Sequence, residues 1–284
     1  MDTKPLFSIL IANYNNGKYL KEAIDSVYAQ TYTNWEIILV DNASNDESKD
    51  IYRELGQDVR IRIFYNEQNK GVGYTKRKCA ELANGELCGF LDPDDILLPK
   101  ALEIMVNAHL ENNEASVVCS RHYRCDENLN VIRESLLLKI PEGMDYFTMN
   151  QYRPLVFASY KKCLYDKTVG LSAHYLAGDD QQLYFLLEEE GPICAVDEFT
   201  YKYRIHNSSL AHSKKSGRVT AYWNMIAIYE ECVRRGLDPM SFSFPLYDKS
   251  VRLYSESTSY KVGHFLLLPM IKLKLWLNSK RNSK

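Results

Sequence analysis

Four short apolar runs, each separated from the next by a segment of helical periodicity, constrain this chain more than any other feature. Residues 7–12, 36–40 and 87–91 have the length and mainly apolar content of buried strands, and the pair Ile61 and Ile63 marks a third strand between the last two of them. Between them Tyr19, Leu20, Ala23, Ile24, Val27 and Tyr28 recur at helical spacing and form one core-facing stripe. Ser44 followed by Glu47 predicts a capping box and a helix to about Leu55, and Gly71 and Gly73 open a third helix to about Ala83. Strands alternating with helices imply βαβ units and a mainly parallel sheet covered on both faces. Such sheets bind ligands beyond the carboxyl ends of their strands. Residues 13–17, 41–44 and 92–95 are therefore expected to converge on one edge.

Downstream, the pattern predicts a helix from Pro99 to about His109, a strand at 116–120 and a turn at 126–130 between two strands. Residues 141–154 lack periodicity and read as a loop or lid, Gly178-Asp179-Asp180 stands at a helix start, and residues 200–205 are strand-like. From Gly217 onward the pattern is helical and polar. The 284 residues suffice for one large α/β domain with an extension. A net charge of −2 with 45% hydrophobic residues excludes a disordered chain, a collagen-like chain and a wholly basic nucleic-acid binder. Seven cysteines without a C-x-x-C pair read as reduced structural thiols. No signal-like apolar core and no apolar run of the roughly 20 residues needed for a membrane span occur. The expectation is a cytoplasmic protein, neither secreted nor integral.

Asp92-Pro-Asp94-Asp95 is the densest acidic cluster at a strand end. Two carboxylates one residue apart on a tight turn can face a hard divalent cation such as Mg²⁺ or Mn²⁺, which takes its other ligands from water and phosphate. A plain surface turn would carry the same residues. Asp41 ends a buried strand, where it either accepts hydrogen bonds from a base or ribose or caps the following loop. Tyr14 can lie against a base or simply pack. Lys76-Arg77-Lys78 either contacts phosphates or forms a solvated helix face. Neither a G-x-x-x-x-G-K-[ST] nor a G-x-G-x-x-G loop exists, which disfavours phosphate cradling by glycines. Asp179 and Asp180 have helix-end capping as their plain role.

Together these segments resemble a family 2 glycosyltransferase with the GT-A fold. The matching words are Ser8-Ile-Leu-Ile-Ala-Asn-Tyr14-Asn15, Glu36-Ile-Ile-Leu-Val-Asp41-Asn-Ala-Ser44, Asn69-Lys-Gly71, Ala83-Asn-Gly85-Glu86, Phe90-Leu91-Asp92-Pro-Asp94-Asp95, Gly178-Asp179-Asp180 and Tyr203-Arg204-Ile-His206. The resemblance implies an α/β fold, a GT-A type, Rossmann-like, mainly parallel sheet flanked by helices. It also implies inverting transfer of a sugar from a nucleotide-diphosphate donor, most often a UDP-sugar, to the hydroxyl of a surface polysaccharide or lipid-linked glycan. Carried over, Ala12, Tyr14 and Asp41 line the nucleoside site and Lys76 is the basic donor contact. Asp92 meets ribose or metal, Asp94 is the principal Mn²⁺ or Mg²⁺ ligand, and His206 lies at the diphosphate or metal with Arg204 in support. Asp179-Asp180 takes the place of the family's acidic pair, with Asp180 as catalytic base. The chain departs from the family's usual residues at Ala12-Asn13, Lys76-Arg77 and Asp179.

The implied organisation is a catalytic domain over residues 1–215, with a nucleotide-binding half (1–100) and an acceptor half (101–215), followed by a helical extension (216–284). Residues 261–284 hold six Lys or Arg and no acid among bulky apolar residues. That mix suits peripheral docking on the anionic inner face of a membrane, or a helix packed on the catalytic domain with its lysines snorkelling. A nucleotidyltransferase on a related core and a catalytically silent sugar-nucleotide-binding protein are the competing functions.

Overall fold

The structure is a computed structural model and describes residues 4–149, 155–206 and 216–239. The basic tail at 261–284, and residues 150–154 of the segment read as a lid, lie outside the described residues. In chain order the elements are β1 (Phe7–Asn13), α1 (Gly17–Tyr28), β2 (Trp35–Asp41), α2 (Ser48–Leu55), β3 (Ile61–Tyr65), α3 (Val72–Leu82), β4 (Leu87–Phe90), β5 (Ile96–Leu97) and α4 (Ala101–Glu111). There follow β6 (Val117–Cys125), β7 (Val131–Glu134), β8 (Ala158–Lys161), α5 (Lys162–Tyr165), α6 (Asp179–Glu188), β9 (Ile193–Arg204) and α7 (Ser216–Arg235). The chain divides into two compact units, Met1–Ala227 and Ile228–Lys284. In the described part of the second unit, Glu231 pairs with Arg234 and Arg235 at the end of α7.

The first unit is built on one mixed sheet of strand order β3-β2-β1-β4-β8-β6-β9-β5, with β7 paired to β6. Its first four strands are parallel, as the alternating pattern requires, with Leu10 opposite both Ile38 and Phe90. Beyond β4 the ladders turn mixed: β8 is antiparallel to β4 and β6, whereas β6 and β9 run parallel. On one face, Phe7, Ile9 and Ile11 alternate inward with Ile37 and Leu39 and meet Leu20, Ile24 and Val27 of α1. Leu102 and Met105 of α4 and Tyr201 of β9 complete this core. Each such fully buried side chain contributes about 2 kcal/mol.

At the amino edge of the parallel strands a buried polar network joins three of them. Glu36 Oε1 accepts from Ser8 Oγ at 2.6 Å and Asn84 N at 2.7 Å, and its Oε2 accepts from Asn84 Nδ2 at 3.1 Å. Ser8 Oγ in turn accepts from Gly85 N at 2.8 Å, and Arg62 stands 3.5 Å from Glu36 Oε2.

The expected capping box does not form. The helix starts at Ser48, and Ser44 Oγ accepts instead from Asn15 N at 3.0 Å. Asp46 takes over the helix ends, receiving Ser48 N at 3.1 Å and Gly17 N of α1 at 2.8 Å. A carboxylate fills this place because helix N-termini present unsatisfied N–H groups and favour negative charge. The segment after Pro141 is tied down through residue 149. Glu188 of α6 accepts from Tyr146 N and Phe147 N, and both rings pack on Tyr184 or Phe185.

Candidate active site

The carboxyl ends of β1, β2 and β4 place the three expected loops side by side, since Asn13 is in register with Asp41 and Leu91 N donates to Leu10 O. Beneath the first two loops, Asn13 Nδ2 donates to Tyr52 OH at 2.6 Å, and that hydroxyl donates to Asp41 Oδ1 at 2.6 Å. Asp41 Oδ2 accepts from Ser44 N at 3.0 Å. Asp41 is thus buried with both oxygens engaged, as its capping role has it, and lies outside the ion-pair cluster described next. Ala12 is half-buried and Tyr14 is exposed above this network. Ala43 bends the loop with φ of 64°, a left-handed conformation that costs an L-residue with a Cβ about 1 kcal/mol. Asn42 orders the neighbouring turn: its Oδ1 accepts from Asn66 Nδ2 and Lys70 N, and its Nδ2 donates to Asn69.

Lys76 is the centre of the site. The three basic residues of α3 do not form a solvated face, because they diverge. Arg77 turns to Glu81 and Leu171 O, Lys78 reaches Tyr65 O and Asn66, and Lys76 is buried. Lys76 Nζ lies 2.6 Å from Asp180 Oδ1, 3.1 Å from Asp179 Oδ2 and 3.6 Å from Asp92 Oδ1. Burial works against its charge, but Asp179, Asp180 and Asp92 outweigh it and hold the lysine well above its usual pKa. Burial also pushes Asp179 up to about 6, against the pull of Lys76 and with the repulsion of Asp180. Asp92 rises for the same reason: protein walls surround it even though water reaches 41% of its side chain. Asp180 faces the opening with 47% of its side chain exposed, whereas Asp179 retains 5%. Asp179 Oδ2 has no well-aligned hydrogen bond despite its ion pair.

Backbone form brings the acidic pair there. Gly178 caps α6 in the left-handed region at φ 73°, which directs the following aspartates into the cleft. Gly73 lets α3 approach so closely that a Cβ there would stand 2.6 Å from Ser172 O.

A second corner gathers Asp94, His206 and Arg204. His206 Nε2 and Asp94 Oδ2 are 2.9 Å apart, and the His206 ring lies on Tyr19 with centroids 4.7 Å apart. Arg204 is a brace. Its Nε donates to Asp94 O at 2.7 Å, one Nη to Glu127 O at 2.6 Å and the other to Glu22, while its guanidinium covers Tyr19. Its backbone N donates to Asp95 Oδ1 at 2.6 Å. Buried Asp95 is raised well above the usual carboxylate range by desolvation and by Asp94 and Asp92. The β5–β9 ladder, Ile96 with Lys202 and Leu97 with Tyr201, holds the two segments together. Among the described residues no three His, Cys, Asp or Glu side chains gather as a ready-made metal cage. Asp94 and His206 offer one carboxylate oxygen and one imidazole nitrogen as donors for a divalent cation. The two atoms now hydrogen-bond each other at 2.9 Å, so a cation held by both would take the place of that bond and draw its other ligands from water and phosphate oxygens.

Tyr19, Glu22, Glu127, Tyr201 and Asn42 were not among the expected site residues: Tyr19 reads as part of the core-facing stripe of its helix, and Asn42 and Glu127 stand in segments named for their neighbours. Asp95 was visible as the third acid of its run. Residues 8–169 match the domain family described as Glycosyl transferase family 2. An uncharacterized glycosyltransferase of Methanocaldococcus jannaschii is 31% identical over 234 residues, 78% of this chain and 79% of its own. A UDP-Glc:alpha-D-GlcNAc-diphosphoundecaprenol beta-1,3-glucosyltransferase of Escherichia coli is 26% identical over 80% of this chain and 87% of its own. The chain spans 41% and 43% of two further glycosyltransferases that it matches. In fold it is similar to Staphylococcus aureus TarS 1–349 in complex with UDP-GlcNAc, with a TM-score of 0.60 at 17% identity over 96% of this chain and 78% of the other.

Proposed function

The chain belongs to glycosyl transferase family 2 and is a glycosyltransferase, and we propose that it moves a sugar from a UDP-sugar, with inversion, to a hydroxyl of a surface polysaccharide or lipid-linked glycan. The observation that carries this reading is the bridge through Lys76, which brings the acid pair of α6 and Asp92 of the donor loop to one ammonium. An acceptor-side carboxylate and a donor-side carboxylate then share one cleft, as a direct displacement requires.

In this reading the donor lies on residues 1–100, its nucleoside on Ala12 and Tyr14, with Asp41 holding the loop beside it and Asp92 at the ribose. Asp94 and His206, with Asp92 near, would hold a Mn²⁺ or Mg²⁺ ion. Such an ion offsets negative charge on a leaving diphosphate. Arg204 acts through the Asp94 loop by fixing that carboxylate against His206. Residues 101–215 receive the acceptor. Asp180 takes the proton of the acceptor hydroxyl as its oxygen bonds to the anomeric carbon and the bond from that carbon to the diphosphate breaks. One carboxylate suffices, because a single displacement forms no glycosyl-enzyme. Asp179 and Lys76 keep Asp180 oriented. A lipid-linked acceptor would bring the enzyme to a cytoplasmic membrane face, where the tail at 261–284 would dock on anionic lipid. Undiminished liposome binding after deletion of residues 265–284 removes that role. Among the described residues no helix is long and apolar enough to cross a membrane.

The reading is tested with Asp180→Asn in a radiolabelled assay with UDP-sugars and Mn²⁺. The variant is expected to fold, to keep UDP binding and to lose transfer by at least about 100-fold. Near-native turnover removes Asp180 from the role.

A further inference from the structure

Between α5 and α6 the chain carries an aromatic surface to the lip of the same cleft. The His174 and Tyr175 rings lie 4.8 Å apart, and Trp223 of α7 stands 5.4 Å from Tyr175 and 5.9 Å from His174. Tyr222 meets Trp223 edge-on at 5.7 Å. Tyr175 is fully buried and accounts for the packing of this segment on the first half of α7. Part of this cluster stays open to solvent: Tyr222 is 56% exposed and Leu176 53%.

This surface cannot drift from the acid pair. A Cβ on Gly178 would stand 2.6 Å from Asn224 Oδ1 and 3.4 Å from the Trp223 backbone, so α7 is seated directly on the residue that precedes Asp179. On its other side the segment rests on the start of α3, where Gly73 N donates to Tyr175 O at 3.0 Å. The aromatic cluster and the acid pair are therefore joined through the backbone at Gly178, two residues before Asp180.

We propose that the ledge of His174, Tyr222 and Trp223 is an acceptor subsite for a neutral pyranose ring. The inference rests on the transferase reading for its choice of ligand. A pyranose is amphipathic, with a face of C–H bonds and a rim of hydroxyls. Rigid aromatic rings take the apolar face at little entropic cost, while a carboxylate beside them accepts from a rim hydroxyl. An anionic sugar is disfavoured, because Asp92, Asp179 and Asp180 outnumber Lys76.

Saturation-transfer NMR on the full chain tests the contact, with the methyl β-glycosides of glucose, galactose and N-acetylglucosamine as probes. Ring protons of at least one glycoside are expected to take up saturation, and Tyr222→Ala is expected to weaken its binding about tenfold. Trp223→Ala removes more of the surface but also packing, so the exposed Tyr222 keeps the test decisive. No saturation for any probe, or equal binding by Tyr222→Ala, overturns the ledge. Thermal shift with UDP-glucose, UDP-galactose and UDP-N-acetylglucosamine, run in parallel, reads the donor reading separately. Donor binding without glycoside binding keeps the transferase reading and removes the ledge. Glycoside binding through Tyr222 without donor binding does the reverse.

Discussion

At the amino edge of the parallel strands, Glu36 is a buried carboxylate with its neighbours in place, and Ser8, Asn84 and Gly85 close the network around it. At the carboxyl edge, one buried ammonium faces three carboxylates, two of them open to water, and Asp179 Oδ2 and Asp95 Oδ2 lack a hydrogen bond. The same residue chemistry serves opposite ends. A satisfied buried network stabilises and specifies a fold, whereas a half-satisfied one of surplus charge costs stability. The difference can be attacked from both sides.

Asp180→Asn should have the largest effect, the loss of about 100-fold or more in transfer described above, with little change in melting temperature. Comparable losses of stability and activity would erase the distinction between the edges. Glu36→Ala should behave oppositely. It strands buried donors on Ser8 and Asn84 and is expected to lower unfolding stability by about 3 kcal/mol in urea titrations, leaving turnover per folded molecule intact. A Glu36→Ala protein as stable as the parent would show that this network is ornamental.

Asp179 sharpens the comparison through pH. Its folded pKa, about 6, is above the ordinary value of 3.8, so folding takes up a proton between these values. The stability linked to Asp179 is complete below the lower value and is lost as pH rises through the upper one. Asp179→Asn should therefore raise the melting temperature more at pH 7.5 than at pH 5, and an equal shift at both would contradict the cost assigned to this edge. The smallest effect belongs to Ala43, whose left-handed backbone suits glycine. Ala43→Gly should gain about 0.5–1 kcal/mol, and destabilisation on thermal melting would mean that the loop relies on the alanine methyl.

The strand ends were legible because a parallel sheet with both faces covered needs mainly apolar strands, and four short runs of that kind point to one edge. The Asp92–Asp95 loop and the Asp179–Asp180 helix start followed from their positions. The resemblance set Asp94 and His206 at one metal, and the fold supplied what no spacing could, a direct contact between side chains 112 residues apart. Lys76 was visible as one of three adjacent cations. On a helix these diverge by about 100° each, and which one turns inward depends on where α6 docks. The strands β5 and β8 escaped notice since two and four residues carry no periodicity. The capping box failed because Asp46, two residues before Ser48, competes for the same N–H groups. The aromatic ledge had no linear signature, as it exists only where α7 meets the segment before α6.

The two-rung ladder between β5 and β9 also has a bearing on how Asp94 and His206 are kept together. It pins residues 96–97 to 201–202, and everything between leaves and returns through that clasp. The turn after β6 is part of the clasp, since Glu127 O accepts from the Arg204 guanidinium that also holds Asp94 O, whereas β7 lies at the free edge of β6 and makes no such contact. A substitution at either rung of this ladder therefore reaches the Asp94–His206 contact through the backbone alone.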